Sequence, residues 1–146
     1  MDYAKLQNFF KTKNMKKNIS KLLVHAENAV TSTLLKNKKE NGLIHKYIPK
    51  EYKGYISSFG AAIIQSGLLP ALYFNHGSEG STEDREKLMD AVFYILKNGY
   101  NITASENNLL KYAKEQARDN ELKKVKNQIL DAATALKLVI RTYKLV

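Results

Sequence analysis

The fold is decided by residues 122–143, which read LKKVKNQILDAATALKLVIRTY. Apolar side chains recur there at steps of three and four positions, the spacing that places them on one face of an α-helix. The lysines and the arginine fall off that face. The stretch therefore predicts a closing helix from Leu122 to Tyr143, with an inner face made of Leu122, Val125, Ile129, Ala132, Ala133, Leu136, Val139, Ile140 and Tyr143.

The same periodicity continues through the N-terminal part of the chain. It predicts a first helix covering roughly Asn14 to Lys38. Asn41-Gly42 suits the C-terminal end of that helix, where glycine and asparagine are favoured. Residues 43–53 are interpreted as a connector, because they contain Pro49 and the residue before a proline is biased away from helix.

The uncharged stretch 54–78 is long enough to cross a bilayer as a helix, which takes about 20 apolar residues. Serines, glycines and Pro70 interrupt it, so we expect no membrane span. It predicts instead a buried helical hairpin. One helix would run from Pro49 or Lys50 to about Gln65 and be capped by Ser66-Gly67, and a short helix would follow from about Leu68 to Asn75.

Two further helices are predicted from N-terminal capping signals. Ser81, followed by acidic residues, would begin a helix running to Asn98. The sequence 103–106, Thr-Ala-Ser-Glu, matches a capping box and would begin a helix running to about Arg118. Strand-like alternation is not seen. The chain is therefore predicted to be all-α, a single domain over 1–146 that forms a compact bundle of about five to six helices with long first and last helices.

Positive charge is strong and unevenly placed. The formal net charge is +10, and residues 1–53 hold 12 lysines against 4 acids while residues 111–146 hold 9 bases against 4 acids. Surface charge of one sign repels itself, and a polyanion would neutralise it, so nucleic acid is the indicated partner. The alternative is a lysine-rich composition without a specific partner.

Cations follow helical spacing in three places: in the first helix, in the closing helix, and at Lys111, Lys114 and Arg118. Lysines one turn apart can reach neighbouring phosphates, and such contacts carry no sequence information. For any single row the alternative is a solvated helix face. The residues predicted to contact nucleic acid are Lys13, Lys16, Lys17, Lys21, Lys137, Arg141 and Lys144.

Tyrosine is plentiful, with nine residues against no tryptophan. A tyrosine can stack on a base, but most are expected in the core or at its edge with a wet hydroxyl. The tyrosines considered for stacking are Tyr47, Tyr52, Tyr55, Tyr100 and Tyr112.

Catalytic and metal-binding motifs are missing from the sequence. We find no zinc-protease helix, phosphate-binding loop or nucleophile elbow. His76 with Glu79 and Asp84 is better explained as a polar turn before a helix than as a metal site. The chain has no cysteine, which suits a reducing cytoplasm. Lysines recur near the N-terminus with no apolar run behind them, so we expect no secretory signal. We expect a cytoplasmic protein that is not an enzyme and takes no cofactor or metal.

Residues 55–74 resemble the signature region of a known family, the small, all-helical subunit of type III-B (Cmr) CRISPR effector complexes. That family carries a helix, a polar-Gly-Leu turn and then Ala-Leu-aromatic. Here the turn is Gln65-Ser66-Gly67-Leu68, and the second part is Ala71-Leu72-Tyr73-Phe74. These positions are expected to pack in the core. The lysine-rich first helix and the amphipathic last helix agree with the family's layout.

The resemblance implies a non-catalytic scaffold in an antiviral ribonucleoprotein. Small subunits of this family stack as an inner filament, and their basic surface lines the channel for target RNA paired to the guide. Target cutting belongs to the backbone subunit, and the DNA-cutting and cyclic-nucleotide activities belong to the large subunit. The implied partners are guide RNA, target RNA, the backbone and large subunits, and copies of the chain itself, with no membrane.

Two other functions are compatible with the sequence. A helical protein–protein adaptor with no nucleic-acid role would use the charge for an acidic partner or for solubility. An enzyme with an unrecognised site would need a constellation of side chains that we do not find.

Overall fold

The computed structural model describes residues 17–77 and 83–146, so Lys13, Lys16 and Ser81 lie outside the described residues. Within those ranges, six helices and one small antiparallel sheet are seen, which confirms a mostly helical fold with long first and last helices. The elements are α1 (residues 17–29, continued by a π-helical turn over Val30–Leu34), β1 (Lys36–Glu40), β2 (Leu43–Tyr47), α2 (Glu51–Ser66), α3 (Leu68–Asn75), α4 (Arg85–Gly99), α5 (Leu109–Arg118) and α6 (Leu122–Ile140).

The core lies between α2, α4 and α6, and α1 packs on α4. The predicted inner face of α6 is confirmed for its central positions. The helix ends at Ile140, three residues before the predicted end, and Leu122 and Tyr143 are only half-buried. The residues that α6 buries are Val125, Ile129, Ala132, Ala133, Ala135, Leu136, Val139 and Ile140.

The uncharged stretch forms two helices joined at a single glycine, as predicted. Gly67 has a φ of 98°, a conformation that strains any residue with a Cβ, and its N–H donates to the Ile63 carbonyl at 3.0 Å. The chain therefore leaves α2 and enters α3 at once, and both helices pack into the core. In the described part of the chain, no helix is both long and apolar enough to cross a membrane.

The segment after α1 is a β-hairpin, so the predicted helix to Lys38 and the connector after it are wrong. Lys36 lies opposite Tyr47, and the two strands meet at the turn Asn41-Gly42. These turn residues have φ values of 53° and 78°, the two left-handed positions of a type I′ turn. Asn-Gly is a strong hairpin signal, and here it marks a turn between strands rather than the end of a helix.

Helix α1 ends early because of a run of hydroxyl side chains at residues 31–33. Each hydroxyl donates to the backbone carbonyl four residues before it. Such bonds compete with the regular helix, and two of the three residues are also β-branched. The helix widens into the π-helical turn, in which the N–H of Leu35 donates to the carbonyl of Val30 at 3.0 Å. The chain then leaves directly into β1.

Helices α4 and α5 begin later than predicted. Helix α4 begins directly after Asp84, whose carboxylate accepts a backbone N–H at 2.8 Å, so Ser81 is not its cap. Helix α5 begins directly after Asn108, whose side-chain oxygen accepts a backbone N–H at 2.9 Å. The prediction that the capping box at 103–106 begins this helix is therefore wrong. Asn108 competes successfully because it stands immediately before the apolar face of α5.

The chain beyond α6 returns to the root of the hairpin. Leu145 forms a parallel bridge with Ile48, which is fully buried. The N–H of Ile48 donates to the Lys144 carbonyl at 2.9 Å, and the N–H of Val146 donates to the Ile48 carbonyl at 3.1 Å. The N–H of Lys50 donates to the Val146 carbonyl at 3.0 Å. The root of the hairpin is thus fastened, while most of its other residues are exposed.

Candidate nucleic-acid interface

The three predicted cations near the C-terminal end of α6 lie on two different elements. Lys137 lies in the last turn of the helix, and Arg141 is its C-cap. Lys144 lies beyond the helix, in the segment that pairs with Ile48. The predicted helical row is therefore wrong at Lys144, because the helix ends at Ile140. All three cationic side chains are exposed, and the two at the helix end also suit the negative end of the helix dipole.

Backbone pairing extends this basic surface beyond the predicted residues. The segment carrying Lys144 runs beside the chain from Ile48 to Lys50, and the Lys50 side chain is exposed. Lys46, near the end of β2, is exposed as well. The basic surface at the end of α6 therefore continues towards the hairpin root and the start of α2.

A shallow groove between α2 and α6 ends beside Lys137. Small residues line much of it, among them Gly60 and Ala61 on α2 and Ala133 on α6. Ile64 forms part of the α2 wall, with 72% of its surface exposed. The lining is mainly apolar, with one cation, so it suits an apolar group of a partner better than a chain of phosphates.

Lys21 of α1 does not lie on the flank of that helix that meets the chain after α6. Lys17 and Lys21 are both exposed. On the same helix, Glu27 accepts a hydrogen bond from the Tyr143 hydroxyl at 3.1 Å, which identifies the flank of α1 that meets the chain after α6. Glu27 comes six positions after Lys21, so the two residues lie about 120° apart around the helix. Lys21 therefore faces away from that flank.

Among the described residues, no carboxylate forms an ion pair with a predicted cation. In residues 17–77 and 83–146, the ion pairs are Lys36–Glu83 at 3.0 Å and Arg118–Glu115 at 3.2 Å. Neither pair involves a residue that was predicted to contact nucleic acid. The positive charge of the described members of that set is therefore exposed and available to an outside anion.

The hairpin carries cations that we did not predict as a site. Lys38 and Lys39 on β1 are exposed, lie opposite His45 and Ile44 on β2, and point to opposite faces of the ribbon. The sequence signal that could have identified this basic ribbon is the Asn-Gly turn, with lysines before it and a β-branched and aromatic run after it.

The tyrosines considered for base stacking are not the exposed ones. Tyr52 and Tyr112 are buried, and Tyr47, Tyr55 and Tyr100 are half-buried. The buried hydroxyl of Tyr52 donates to the Asp84 carbonyl at 3.1 Å, which ties α2 to the start of α4. These side chains hold the fold together, and they present little ring surface to a ligand.

Exposed aromatic rings are found on α3 instead. Tyr73 is 54% exposed and Phe74 is 64% exposed, although we expected both to pack in the core. The inner face of α3 is formed by Leu68, Ala71, Leu72 and Asn75. The second half of the family-like motif therefore contains two core residues followed by two outward-facing rings.

Each of these rings has a cation close to it. The Lys114 amine of α5 lies 5.2 Å from the ring centre of Tyr73. The Arg85 guanidinium of α4 lies 4.9 Å from the ring centre of Phe74 and 4.0 Å from that of Tyr55. Both distances to the exposed rings are within the range of cation–π attraction.

Burial is the first cause of the titration shifts at the junction of α3 and α4. It lowers the pKa of His76, against the opposing effect of Glu86 and Asp90, and it raises the pKa of Asp90. The Nε2 atom of His76 is buried without a hydrogen-bond partner among the described residues. Within the described ranges, which omit Glu79, no three histidine or carboxylate side chains are placed to hold a metal ion.

The sequence also matches a known family. The model of the family described as CRISPR-associated protein (Cas_Cmr5) matches residues 26–142 of the 146. The chain belongs to the Cas_Cmr5 family. This finding confirms the resemblance to the small subunit of type III-B (Cmr) complexes. No curated protein and no solved structure gave a match.

The Cas_Cmr5 match includes some of the predicted cations and leaves out others. It includes all of α2 to α6, and with them Lys137 and Arg141. Lys17, Lys21 and Lys144 lie outside the matched range. Lys137 and Arg141 are therefore the predicted contact residues that lie within the matched part of the chain.

Proposed function

We propose that the chain is a non-catalytic small subunit of a type III-B (Cmr) CRISPR ribonucleoprotein effector complex in antiviral defence. It stacks with copies of itself as an inner filament in the cytoplasm, beside the backbone and large subunits. It binds the guide RNA–target RNA strand through phosphate contacts that do not depend on sequence. The observation that carries the proposal is a set of exposed cations at the end of α6, which form no ion pair within residues 17–77 and 83–146, in a chain of the Cas_Cmr5 family.

The spacing of these cations supports contact with a phosphate backbone. Lys137 and Arg141 are one helical turn apart, about 6 Å along the axis. That rise is similar to the separation of neighbouring phosphates on one strand, so both cations can reach the same strand. Contacts of this kind position a nucleic acid without reading its bases, and guide–target base pairing supplies the specificity in RNA-guided systems.

The test is the salt dependence of RNA binding. We expect the triple variant Lys137→Gln, Arg141→Gln, Lys144→Gln to bind a labelled guide–target duplex more weakly than the wild type. Because each lost phosphate contact removes released counterions, the slope of log K against log salt should fall by about one per contact. Fluorescence anisotropy at several salt concentrations measures both quantities, and duplexes of unrelated sequence should behave alike.

A matched control separates local contacts from overall charge. The triple variant Lys123→Gln, Lys124→Gln, Lys126→Gln removes the same charge from the opposite end of α6 and should keep a near wild-type slope. Equal losses in both triple variants, or no loss in either, would contradict the assignment of the site. A salt-insensitive complex with a protein partner and no RNA shift would favour the adaptor function instead.

The partners require a separate experiment in the native host. A tagged copy of the chain should co-purify with a guide RNA and with the backbone and large subunits. Recovery of those proteins without any guide RNA would contradict a place in the assembled effector complex.

A further inference from the structure

We propose that Tyr73 and Phe74 form a stacking site for unpaired bases of single-stranded RNA, with the cations of α5 holding the adjoining phosphates. This inference rests on the proposed function and adds a second mode of RNA contact to it. The observation behind it is the pairing of two exposed rings on α3 with nearby cations.

The rings are placed to receive a ligand rather than to fill the core. Consecutive residues of a helix point about 100° apart, so Tyr73 and Phe74 cover a broad sector of the outer side of α3. Pro70, one turn earlier, is also exposed on that side. Apolar surface of this kind on a folded domain marks a binding region, because exposing it to water is unfavourable.

On the Phe74 side of the site, the ring is held in place by Arg85 of α4. Arg85 stacks between the rings of Tyr55 and Phe74, and its Nη1 lies 3.5 Å from the Oδ1 of Asn75. Asn75 is buried and donates through Nδ2 to the Ala71 carbonyl at 2.8 Å. This arrangement fixes the position of Phe74, so its outer surface is available to a base without reorganisation.

The Tyr73 side of the site adjoins the third basic row. Lys114 lies over the Tyr73 ring, and Lys111 is exposed one turn before it on α5. Of the carboxylates on that surface, Glu115 pairs with Arg118, and Glu106 lies in the same depression as Lys111 and Lys114. Neither Lys111 nor Lys114 forms an ion pair in the described ranges, so both can meet phosphates beside a stacked base.

The chemistry favours unpaired RNA over the other possible ligands. A nucleotide joins a flat apolar base to a phosphate, and an aromatic ring with a neighbouring cation matches both parts. A paired duplex would offer its phosphates but would hide its base faces. A protein segment could cover the rings as well, and the test therefore has to separate stacking from ordinary apolar contact.

The first experiment uses the absence of tryptophan from the chain. The variant Tyr73→Trp places a unique fluorophore in the proposed site. Its emission should be quenched by a short single-stranded RNA at low salt, and much less by an abasic strand with the same number of phosphates. Equal quenching by both strands, or quenching by neither, would overturn the stacking proposal.

The second experiment asks whether a flat ring is required. Tyr73→Leu and Phe74→Leu keep an apolar side chain but remove the ring. Each should weaken binding of single-stranded RNA by about tenfold, the effect of losing one base stack of roughly 1.4 kcal/mol. Affinity for the abasic strand and the salt slope should stay at the wild-type values. Unchanged affinity of both leucine variants for RNA would overturn the proposal.

The two proposals fail in distinguishable ways. If the leucine variants bind RNA like the wild type but the triple variant at Lys137, Arg141 and Lys144 loses salt dependence, stacking is wrong and the phosphate contacts stand. If the leucine variants lose affinity and that triple variant does not, stacking stands and the contacts at the end of α6 are wrong. A third outcome would replace RNA by a protein as the ligand. In that outcome, a protein partner binds the wild type and both leucine variants equally tightly, and the RNA affinity of the leucine variants is unchanged.

Discussion

Gly99, the last residue of α4, stands where α4 packs against α1. A Cβ at position 99 would collide with the Cδ2 atom of Leu22, a side chain that is 1% exposed. Gly54, in the first part of α2, has open space around the corresponding position. Packing therefore excludes a larger residue at position 99 but not at position 54. In an isolated helix, both glycines would lower helix stability to a similar degree.

We predict that Gly99→Ala lowers the free energy of unfolding by about 1–3 kcal/mol, because the added methyl group overpacks a filled contact. Gly54→Ala should raise it by about 0.5–1 kcal/mol, since alanine loses less backbone entropy in a helix. Urea unfolding followed by far-ultraviolet circular dichroism measures both changes. A Gly99→Ala variant as stable as the wild type would show that α1 and α4 are packed less tightly than described.

At the scale of elements, the hairpin is the part most dependent on its turn. We predict that Gly42→Val weakens the pairing of β1 with β2, because a left-handed conformation costs a residue with a Cβ about 1–2 kcal/mol. Amide exchange in β1 and β2 should become faster, while exchange in α6 stays unchanged. Asn41→Gly, which keeps a permissive turn, is the control. Protected strand amides in the Gly42→Val variant would contradict this account of the turn.

The elements that could be predicted from the sequence are those with a single local interpretation. The bounds of α2 and α3 were predicted to within one or two residues, because apolar periodicity and Gly67 agree. Asn41-Gly42 suits both a helix end and a hairpin turn, and the box at 103–106 competes with Asn108 for the start of α5. Such choices depend on distant contacts, here the pairing of Ile48 with Leu145, which no local pattern contains.

At the scale of the whole molecule, the segment after α6 closes the fold onto the hairpin root. We predict that Val146→Pro removes the hydrogen bond to the Ile48 carbonyl and costs about 1 kcal/mol of stability. Exchange of the Ile48 and Lys50 amides should also accelerate. Val146→Ala keeps the backbone donor and should leave that exchange slow. Equal exchange in the two variants would mean that this pairing contributes nothing to the root.

The exposure of the cations in the candidate site could be predicted from the sequence, but their positions relative to one another could not. Lys137 and Arg141 fall off the apolar face of α6, so their exposure follows from periodicity alone. The displacement of Lys144 follows from where the helix ends, and the position of Lys21 off the flank that meets the chain after α6 follows from the contact between Tyr143 and Glu27. Tyr73 and Phe74 were misplaced because a short helix offers too few turns to show which side is buried.

The π-helical turn at the end of α1 helps to set the direction in which the basic β1–β2 hairpin extends from the helices. A helical residue rotates the chain by about 100°, and a π-helical turn holds one residue more than an α-helical turn. Deleting one residue from Val30–Leu34 would therefore rotate the start of β1 by about 100° against the end of β2, which is held by the pairing of Ile48 with the chain after α6. The two ends of the hairpin therefore agree in direction only for this number of residues, and a chain one residue shorter there would carry the same lysines but strain the pairing at the hairpin root.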